Sequence, residues 1–519
     1  MSILAIGQTT YSECPRRLDD NACNTKNTQS RRGDSMSKNK KTDTTPNSRR
    51  QFLRSVGVAG AVAGTGLSLG LGAKAMAAQA EDDEYDVIVV GSGFAGVTAA
   101  RDSSLAGLKV LHLEASGRLG GRTFTSKFGH HDVDLGGTWI GWGQPHVWAE
   151  KMRYDVPVVE SAAYSASHYV WFDENGARKE GTPDDFWSIM GPANDVFYGP
   201  ARDAFPRPYD PLLVADDKNL DKMSAAAAIE ALDVTAEQKS LLHAFAAING
   251  HSFSDQSSYL DQLRWIALGG FSQSFMWDNL GRFRFEGGTQ SLLTKIHEDS
   301  KAEFKRGQPV TRVEQNGDRV QVTTARKETF VGKKVILAVP LNVIHKIEFA
   351  PAISQTKTEV SRERHTGSGV KAYARIKGKQ PLMFGQGTQK MPFTFLWTEY
   401  DDDDSQILVG FGASPELLDT ADPDAVADAL KQFLPDAEVL ESASYNWNAD
   451  PFALGTWCMY RPGVLTGALE ELQRPEGHVY FATSDIANGW RGFIDGAIES
   501  GARAAELVTE SLKNEKVTA

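Results

Sequence analysis

A glycine-rich turn directly behind a short apolar run constrains the fold of this chain more than any other feature. Residues 85–90 read YDVIVV, a β-branched pattern that predicts a buried parallel strand. GSGFAG follows at once, and the Ala-containing segment behind it predicts a helix. Gly91 would make the tight turn, Gly93 would let the backbone approach a pyrophosphate, and Gly96 would let the helix pack closely on the strand. The pattern therefore predicts a dinucleotide-binding βαβ unit.

The residues that follow distinguish this motif from a glycine-rich loop without a function. A second apolar run, VLHL at residues 110–113, ends at Glu114. Glu114 lies roughly 20 residues beyond the turn, where an acidic side chain binds a ribose hydroxyl. A lone glycine motif is weak, whereas a strand, turn, helix, strand and carboxylate in this order predict a dinucleotide site.

Two further glycine pairs indicate which dinucleotide is bound. Gly120 and Gly121 precede Arg122 shortly after the ribose carboxylate, and Gly136 and Gly137 follow in the sequence DLGGTW. Backbone without side chains lets a planar ring and a long ribityl chain lie against the protein, and an arginine can neutralise pyrophosphate through paired hydrogen bonds. Each pair alone is more often a simple turn, but their order favours FAD over a nicotinamide dinucleotide.

The first 80 residues have the composition of a targeting segment. Residues 1–47 are polar and basic without apolar periodicity, which predicts disorder. Residues 48–80 begin with SRRQFL, continue as a Gly- and Ala-rich apolar run and include the cleavage pattern AMA, in the order of a twin-arginine (Tat) signal peptide. A transmembrane anchor is the alternative, but repeated glycines weaken the run and a cleavage pattern follows it. We therefore expect export to the periplasm without a stable membrane anchor, with translation starting at Met1 or Met36.

The charge distribution argues against a nucleic-acid partner. The chain has a formal net charge of −12, and because its first 80 residues carry twelve Lys or Arg and five Asp or Glu, residues 81–519 carry −19. Binding to phosphate backbones requires basic surface. An acidic surface instead suits cationic small molecules, among them amines.

The sequence predicts neither a disulfide framework nor a metal site. Cys458 is the one cysteine beyond residue 80, and a single thiol can form neither a disulfide framework nor a cysteine metal cluster. His130 and His131 have no third ligand at metal spacing, so a surface position is expected. The acidic run 401–404 could bind calcium, but a solvated hairpin turn is the more common structure for such a run.

Taken in order, these motifs resemble those of the flavin-containing amine oxidase family, which includes monoamine and polyamine oxidases. The resemblance covers about residues 83–510, and the later segments FEGGT at 285–289 and VILAVP at 335–340 fit it. It implies an α/β fold of the GR2 type, with a Rossmann-like FAD-binding domain and a discontinuous α+β substrate domain. It also implies an enzyme that transfers hydride from the carbon next to an amine nitrogen to flavin N5, after which the imine is hydrolysed to an aldehyde.

The resemblance also implies how the chain is divided. It assigns three segments to the FAD-binding domain, 81–155, 283–345 and 450–510. It assigns two to the substrate domain, the helical segment 156–282 and the segment 346–449, and leaves 511–519 as a tail.

A set of FAD-contacting residues follows from the same resemblance. Val310 would touch adenine, Asp485 replaces the family's usual Glu near the ribityl or phosphate groups, and Ile494 begins a helix whose positive end faces the flavin. Thr483 and Ser116 depart from the family's Gly and Arg. The implied cofactor residues are Gly91, Gly93, Phe94, Ala95, Gly96, Glu114, Ala115, Gly121, Arg122, Gly136, Gly137, Thr138, Trp139, Val310, Asp485 and Ile494.

Three residues match the family's catalytic positions. Trp457 and Phe493 match two aromatic rings that stand perpendicular to the flavin and orient the amine, and their faces can hold a partly cationic nitrogen. Lys371 matches a lysine that holds a water near flavin N5. Thr456 stands where monoamine oxidase has the cysteine bonded to its flavin, and Cys458 lies on the other side of Trp457. FAD is therefore expected to be non-covalent.

Within the family, the chain most resembles bacterial Tat-exported enzymes that oxidise nicotine or pseudooxynicotine, through residues 136–148 and FPRP at 205–208. The nicotine-oxidising enzyme carries a non-aromatic residue at the position of Phe493, which favours pseudooxynicotine or another open-chain amine of alkaloid catabolism. Nicotine, a general monoamine or polyamine, and an L-amino acid remain alternatives, the last requiring an arginine clamp that the sequence does not identify. The electron acceptor is O2 or a periplasmic cytochrome, and a homodimer is compatible with the resemblance.

Two other classes of protein stay open at this point. A nicotinamide-dependent dehydrogenase would need neither Gly136 and Gly137 nor the C-terminal segment 479–501, and a flavin spectrum would exclude it. A non-catalytic binding protein on the same fold would differ because no amine would bleach that spectrum.

Overall fold

The structure is a computed structural model, and it describes residues 84–216 and 218–518. The predicted disordered segment 1–47 and the predicted Tat signal 48–80 lie outside the described residues. Among the described helices, none is long and apolar enough to cross a membrane.

The strands are short and are spread over the whole described chain. In chain order they are β1 Tyr85–Val90, β2 Val110–Leu113, β3 Thr125–Phe128, β4 His131–Asp134, β5 Trp139–Ile140, β6 Val158–Glu160, β7 His168–Phe172, β8 Arg178–Gly181, β9 Phe283–Phe285, β10 Glu303–Lys305, β11 Val310–Asn316, β12 Arg319–Thr324, β13 Thr329–Leu337, β14 Glu348–Ala350, β15 Val370–Lys377, β16 Met383–Gln386, β17 Phe395–Asp401, β18 Ser405–Gly412, β19 Val439–Ser444 and β20 Val479–Phe481.

The α-helices are concentrated between β8 and β9 and at the C-terminal end. In chain order they are α1 Phe94–Leu105, α2 Pro145–Arg153, α3 Pro183–Phe197, α4 Ala201–Ala204, α5 Ala225–Glu230, α6 Ala236–Gly250, α7 Tyr259–Leu268, α8 Gln273–Trp277, α9 Gln290–Glu298, α10 Gln355–Glu363, α11 Pro423–Lys431, α12 Val464–Gln473 and α13 Ile494–Thr518.

The first large sheet contains the predicted βαβ unit. Its order is β10-β2-β1-β13-β12-β11-β14, with β20 also paired to β13, and β10, β2, β1, β13 and β20 run parallel. Val87 and Val89 of β1 are fully buried and share a core with Ala99 of α1 and with Ala504 and Val508 of α13. Ile88 and Val90, on the opposite face, are buried in another core cluster. The strand is therefore covered on both faces, as expected for a central parallel strand.

Two glycines of the turn are required by the backbone. Gly91 has a φ of +103°, and a Cβ atom there would lie 2.4 Å from the carbonyl oxygen of Ala338 in the segment after β13. A Cβ atom on Gly96 would lie 1.8 Å from the carbonyl oxygen of Gly91. These two positions give the tight turn and the close contact of α1 with β1.

The second large sheet joins parts of the chain that are far apart in sequence. The order of its strands is β19-β15-β18-β17-β16-β7-β8. Strands β7 and β16 pair in parallel, and all other pairs of this sheet are antiparallel. Strands β7 and β8 precede the helical segment, whereas β15 to β19 follow the last long strand of the first sheet. The predicted α/β fold with a discontinuous second domain is confirmed by this arrangement.

The segment boundaries differ in detail from the sequence pattern. The stretch 156–282, predicted as helical, starts with β6, β7 and β8 before its helices begin. Strand β14, placed with the substrate segment by the resemblance, pairs with β11 of the first sheet. Short edge strands carry little hydrophobic periodicity, so sequence alone does not assign them to a sheet.

Candidate active site

A cavity of about 670 Å³ lies at the carboxyl ends of the parallel strands β1 and β2 and extends to the second sheet. This is where open α/β sheets bind their ligands. Most of the predicted site residues line it. They are Gly91, Gly93, Phe94, Ala95, Glu114, Ala115, Gly121, Arg122, Gly136, Gly137, Thr138, Trp139, Val310, Lys371, Trp457, Phe493 and Ile494.

The end of the cavity near β1 is built to receive anionic and hydroxyl groups. Gly93 caps α1 without a side-chain hydrogen bond, so the first amides of the helix remain available to a ligand. The carboxylate of Glu114 is fixed, because Oε2 accepts from the amide of Ser92 at 2.8 Å and Oε1 accepts from the amide of Ser116 at 2.7 Å. A helix N-terminus beside a carboxylate matches a pyrophosphate next to a ribose.

Arg122 lies on the cavity wall, and hydrogen bonds to the protein fix its guanidinium. Its guanidinium donates to the carbonyl oxygen of Thr456 at 2.8 Å, to the Ser484 hydroxyl at 2.8 Å and to Oδ1 of Asp485 at 2.6 Å. Burial, the largest single effect, would raise the pKa of Asp485, but the charge and hydrogen bond of Arg122, the nearby His365 and the hydrogen bond from the Leu341 amide together outweigh burial and lower it. Asp485 therefore stays ionised as the partner of Arg122.

Asp485 and Gly96 differ from the other predicted cofactor residues because neither lines the cavity. The second carboxylate oxygen of Asp485 accepts from the amide of Leu341 at 2.9 Å, and its side chain is fully buried. Asp485 thus acts on the cavity wall through Arg122, and its predicted direct contact with the ribityl or phosphate groups stays a prediction. Gly96 serves the packing of α1 on β1.

The second glycine pair, Gly136 and Gly137, forms part of the cavity wall. A Cβ atom on Gly136 would lie 2.1 Å from the carbonyl oxygen of Arg122, and one on Gly137 would lie 3.3 Å from Thr123 Cγ2. These positions let the backbone of the pair face the cavity between Arg122 and the start of α13. Together with the amides of α1 and the carboxylate of Glu114, the residues present fit an FAD.

Lys371 lies under this glycine pair. Its Nζ donates to the carbonyl oxygens of Asp134 at 2.6 Å and Gly136 at 3.0 Å and contacts Thr138 Oγ1 at 2.6 Å. Burial lowers the pKa of Lys371 to about 7, and the nearby carboxylates of Asp134 and Glu399 oppose part of that shift. Lys371 is therefore a buried amine that can exchange a proton near neutral pH.

Trp457 and Phe493 are each fixed by other aromatic side chains. The indole of Trp457 donates to the carbonyl oxygen of Asn249 at 2.8 Å and stacks on His251. Phe493 packs edge to face against Trp265 at 5.2 Å and Trp490 at 5.3 Å between ring centroids. The hydrogen bond and the parallel stack fix the orientation of Trp457, and the edge-to-face pairs fix that of Phe493.

The sequence pattern missed His251, which lines the cavity beside Trp457. His251 ends α6 with a φ of +47°, and its Nε2 lies 3.1 Å from the carbonyl oxygen of Val370. Because a carbonyl only accepts, Nε2 carries the proton and Nδ1 accepts from the Thr456 hydroxyl at 2.7 Å. Burial lowers the pKa of His251 to about 3, which keeps the ring neutral.

The remaining wall is mainly apolar and aromatic, and its residues also escaped the sequence pattern. A helical or strand aromatic is usually a core residue, so nothing local marks these side chains as cavity-lining. They are Ile248, Trp265, Trp277, Leu280, Phe395, Trp397, Phe411, Tyr445 and Trp447.

One end of the cavity, which we call the cofactor cradle, is formed by the first amides of α1, Glu114 and the glycine pair, and it can receive a dinucleotide. The other end, which we call the aromatic chamber, is lined by Trp457, Phe493 and the aromatic side chains named above, and it lies beside the buried Lys371. These two halves are those of a flavin-dependent oxidoreductase. A family model described as flavin containing amine oxidoreductase matches residues 94–509. The chain belongs to this family and is a flavin-dependent enzyme that oxidises amines.

Two curated relatives cover nearly the whole chain. A pseudooxynicotine dehydrogenase of a Pseudomonas species is 40% identical, over 91% of this chain and 97% of the relative. A nicotine dehydrogenase of Pseudomonas putida is 36% identical, over 90% of this chain and 98% of the relative.

Solved structures support the fold alone, because their identities are low. Putrescine oxidase bound to putrescine matches with a TM-score of 0.72 and 22% identity, covering 82% of this chain and 99% of its own. Cyclohexylamine oxidase from Brevibacterium oxydans matches with a TM-score of 0.70 and 19% identity, covering 83% and 100%.

Proposed function

We propose that this enzyme oxidises pseudooxynicotine or a related open-chain amine at the carbon next to the amine nitrogen, giving an imine that is hydrolysed to an aldehyde. Bound FAD, held without a covalent bond, supplies the acceptor for the hydride. The observation that carries the proposal is the aromatic chamber with Trp457 and Phe493 on its wall. Similarity to a pseudooxynicotine dehydrogenase supports the substrate class.

The side chains of the chamber would perform three tasks. The rings of Trp457 and Phe493 would hold the amine by its faces, which limits its rotation and aligns its C–H bond. The apolar lining would exclude water and favour the neutral amine, whose lone pair drives the loss of hydride. Lys371 would keep the glycine pair in place and hold a proton at Nζ beside the reacting atoms, where a bound water can exchange with it.

Nicotine is the second candidate, because the chain is also 36% identical to a nicotine dehydrogenase. An L-amino acid fits less well. Among the described residues that line the cavity, the arginines are Arg118 and Arg122. Arg118 donates to the carbonyl oxygen of Thr123 at 2.9 Å, and Arg122 is paired with Asp485, so both are engaged near the cofactor cradle.

Anaerobic stopped-flow reduction distinguishes these substrates. The holoenzyme is mixed with pseudooxynicotine, nicotine, a simple arylalkylamine or an L-amino acid, and bleaching of the flavin spectrum is followed. We expect the highest limiting rate with pseudooxynicotine. Faster reduction by nicotine would transfer the proposal to the second candidate, and no bleaching by any amine would contradict the proposed function.

We further propose that the enzyme is exported by the Tat route and acts in the periplasm, on the basis of residues 48–80. The mature chain should then begin near Ala78. Mass spectrometry of the periplasmic protein tests this, and a product that retains Arg49 and Arg50 would contradict it. Replacing both arginines by lysine should hold the protein in the cytoplasm.

The proposed periplasmic location also bears on which electron acceptor the enzyme uses. Both relatives described above are called dehydrogenases, which favours a periplasmic cytochrome over O2. Reoxidation of the reduced enzyme should therefore be faster with an oxidised c-type cytochrome than with air-saturated buffer. Equal or faster reoxidation by O2 would identify the enzyme as an oxidase.

A further inference from the structure

Two imidazoles and a carboxylate meet outside the cavity, where two hairpins touch. His130 lies in the turn between β3 and β4, His131 is the first residue of β4, and Asp402 lies in the turn between β17 and β18. His131 Nε2 lies 2.9 Å from Asp402 Oδ1, and His130 Nε2 lies 3.3 Å from the same oxygen. The three ligand atoms lie within 4.8 Å of one another.

The fold supplies a third partner that the sequence pattern does not reveal. The sequence pattern gave the two histidines no third ligand, and Asp402 is 271 residues away from His131. The expected surface position holds for His130, which is 71% exposed, but the side chain of His131 is 21% exposed and packs against a neighbour. The predicted hairpin turn at 401–404 is present, and the amide of Asp402 donates to the carbonyl oxygen of Ser405 at 3.0 Å.

We propose that His130, His131 and Asp402 bind a divalent cation of the zinc class. Two imidazole nitrogens and one carboxylate form a ligand set typical of Zn²⁺, whereas Ca²⁺ and Mg²⁺ prefer oxygen ligands alone. Both Nε2 atoms already converge on one carboxylate. In the complex, each neutral imidazole carries its proton on Nδ1 and offers the Nε2 lone pair to the metal, and water completes the tetrahedron.

The ligands are held in place before any ion binds. The ring of His131 lies 4.1 Å from that of Tyr400 and 4.1 Å from that of His130, measured between centroids. The Tyr400 hydroxyl donates to the carbonyl oxygen of Asp132 at 3.0 Å, which ties the β3–β4 hairpin to β17. Preorganised ligands lose little conformational entropy on binding. These three side chains should therefore bind an ion more tightly than isolated carboxylates on the surface do.

The position of the cluster indicates what the ion would do. From His131, β4 runs to Asp134, whose carbonyl oxygen accepts from Lys371. From Asp402, β17 runs back to Trp397 in the wall of the chamber. A bound ion would therefore fasten together two strands that support the active site, and its main effect would be on the stability of the folded holoenzyme.

Zinc binding to the tag-free holoenzyme tests the proposal by isothermal titration calorimetry in a non-chelating buffer. We expect one Zn²⁺ per chain and a higher melting temperature, with an affinity at least about tenfold weaker in His130→Asn and in Asp402→Asn. His130→Asn changes an exposed side chain, so it leaves folding intact. His243→Asn is the matched control, because His243 forms a single histidine–carboxylate contact with Glu230 at 3.0 Å and should bind zinc like the wild type.

A spectroscopic measurement identifies the ligands directly. Cu²⁺ added to the holoenzyme should show electron paramagnetic resonance coupling to two imidazole nitrogens, reduced to one in His130→Asn. Zinc isotherms of His130→Asn and Asp402→Asn that match the wild type would overturn the proposal, as would the absence of zinc binding by the wild type. Neither result depends on the amine substrate, so the test is separate from that of the proposed function.

Discussion

The imidazole of His251 lies parallel to the indole of Trp457, with 3.8 Å between ring centroids and 2° between ring planes. His251 is itself held at both nitrogens, by Thr456 and by the carbonyl oxygen of Val370 directly before Lys371. The stack therefore connects one wall of the chamber to the strand that carries the buried lysine. A neutral ring is needed for this, and burial provides it.

Replacing His251 by Asn should disturb the chamber without removing the cofactor. Asn tolerates the left-handed backbone of this position but offers no ring for Trp457. Loss of alignment worth about 1–2 kcal/mol would slow flavin reduction by roughly five- to thirtyfold, with unchanged FAD content. Stopped-flow reduction at saturating amine measures this, with His243→Asn, on the helix that His251 caps, as control. Limiting rates equal to those of the wild type would show that the stack does not orient Trp457.

The flavin should be released by acid. Thr456 occupies the position of the family's flavin-bonded cysteine, and the thiol of Cys458 is buried and does not line the cavity. Burial also raises the pKa of Cys458 well above its usual range, so that no thiolate is present to react. Precipitation of the holoenzyme in trichloroacetic acid should leave the yellow colour in the supernatant. A yellow pellet would mean that another side chain forms the bond.

Phe493→Asn should weaken the oxidation of open-chain amines more than the binding of FAD. The ring of Phe493 is set by Trp265 and Trp490, and its loss would remove one wall of the chamber. The expected cost is about 1–3 kcal/mol, or roughly five- to 150-fold in the rate of reduction by pseudooxynicotine. Wild type and variant are compared with pseudooxynicotine, nicotine and an arylalkylamine. Identical rates with all three would place residue 493 outside the substrate site and remove the preference for pseudooxynicotine.

The parts of the fold that were predictable from sequence are those whose signals are local. The strand, the glycine turn and the carboxylate of Glu114 lie within about 30 residues, the length of one βαβ unit. The glycines at positions 91 and 96 are recognisable in the sequence because the backbone leaves no room for a Cβ atom at either position. The order of such motifs was sufficient to indicate the family.

The parts that were not predictable depend on contacts between distant segments. His251 meets Thr456 across 205 residues and Val370 across 119, and its own neighbourhood reads as an ordinary helix end. Asp485 could be assigned to the cofactor region, but its pairing with Arg122, 363 residues away, was not visible. Side chains that act through a partner carry no periodicity and no spacing that sequence reasoning can use.

The pH dependence of the enzyme should reveal the ionisation of Lys371. Burial lowers its pKa from 10.5 to about 7, so the ammonium forms as the pH falls below neutrality. A positive charge in the chamber opposes entry of a protonated amine, and flavin reduction at low amine concentration should therefore rise with pH through about 7. Asp495, buried at the start of α13, also has a pKa raised by burial to about 7, so the wild-type profile alone does not assign the step.

Lys371→Met separates the two ionisations. The variant should lose the lysine step, retain that of Asp495, and slow reduction or reoxidation by more than about tenfold because Nζ no longer anchors Gly136 and Thr138. The pH dependence of the stability of the fold is an independent check on the pKa of Lys371.

Because the pKa of Lys371 is lower in the folded than in the unfolded state, the unfolded wild type binds more protons between pH 7 and 10.5. The contribution of Lys371 to the free energy of unfolding therefore rises with pH across this window. Urea unfolding of both proteins at pH 7 and pH 9.5 should therefore show the wild type gaining on the variant at the higher pH. A constant difference between the two proteins, together with an unchanged kinetic profile, would show that Lys371 keeps an ordinary pKa and takes no part in the reaction.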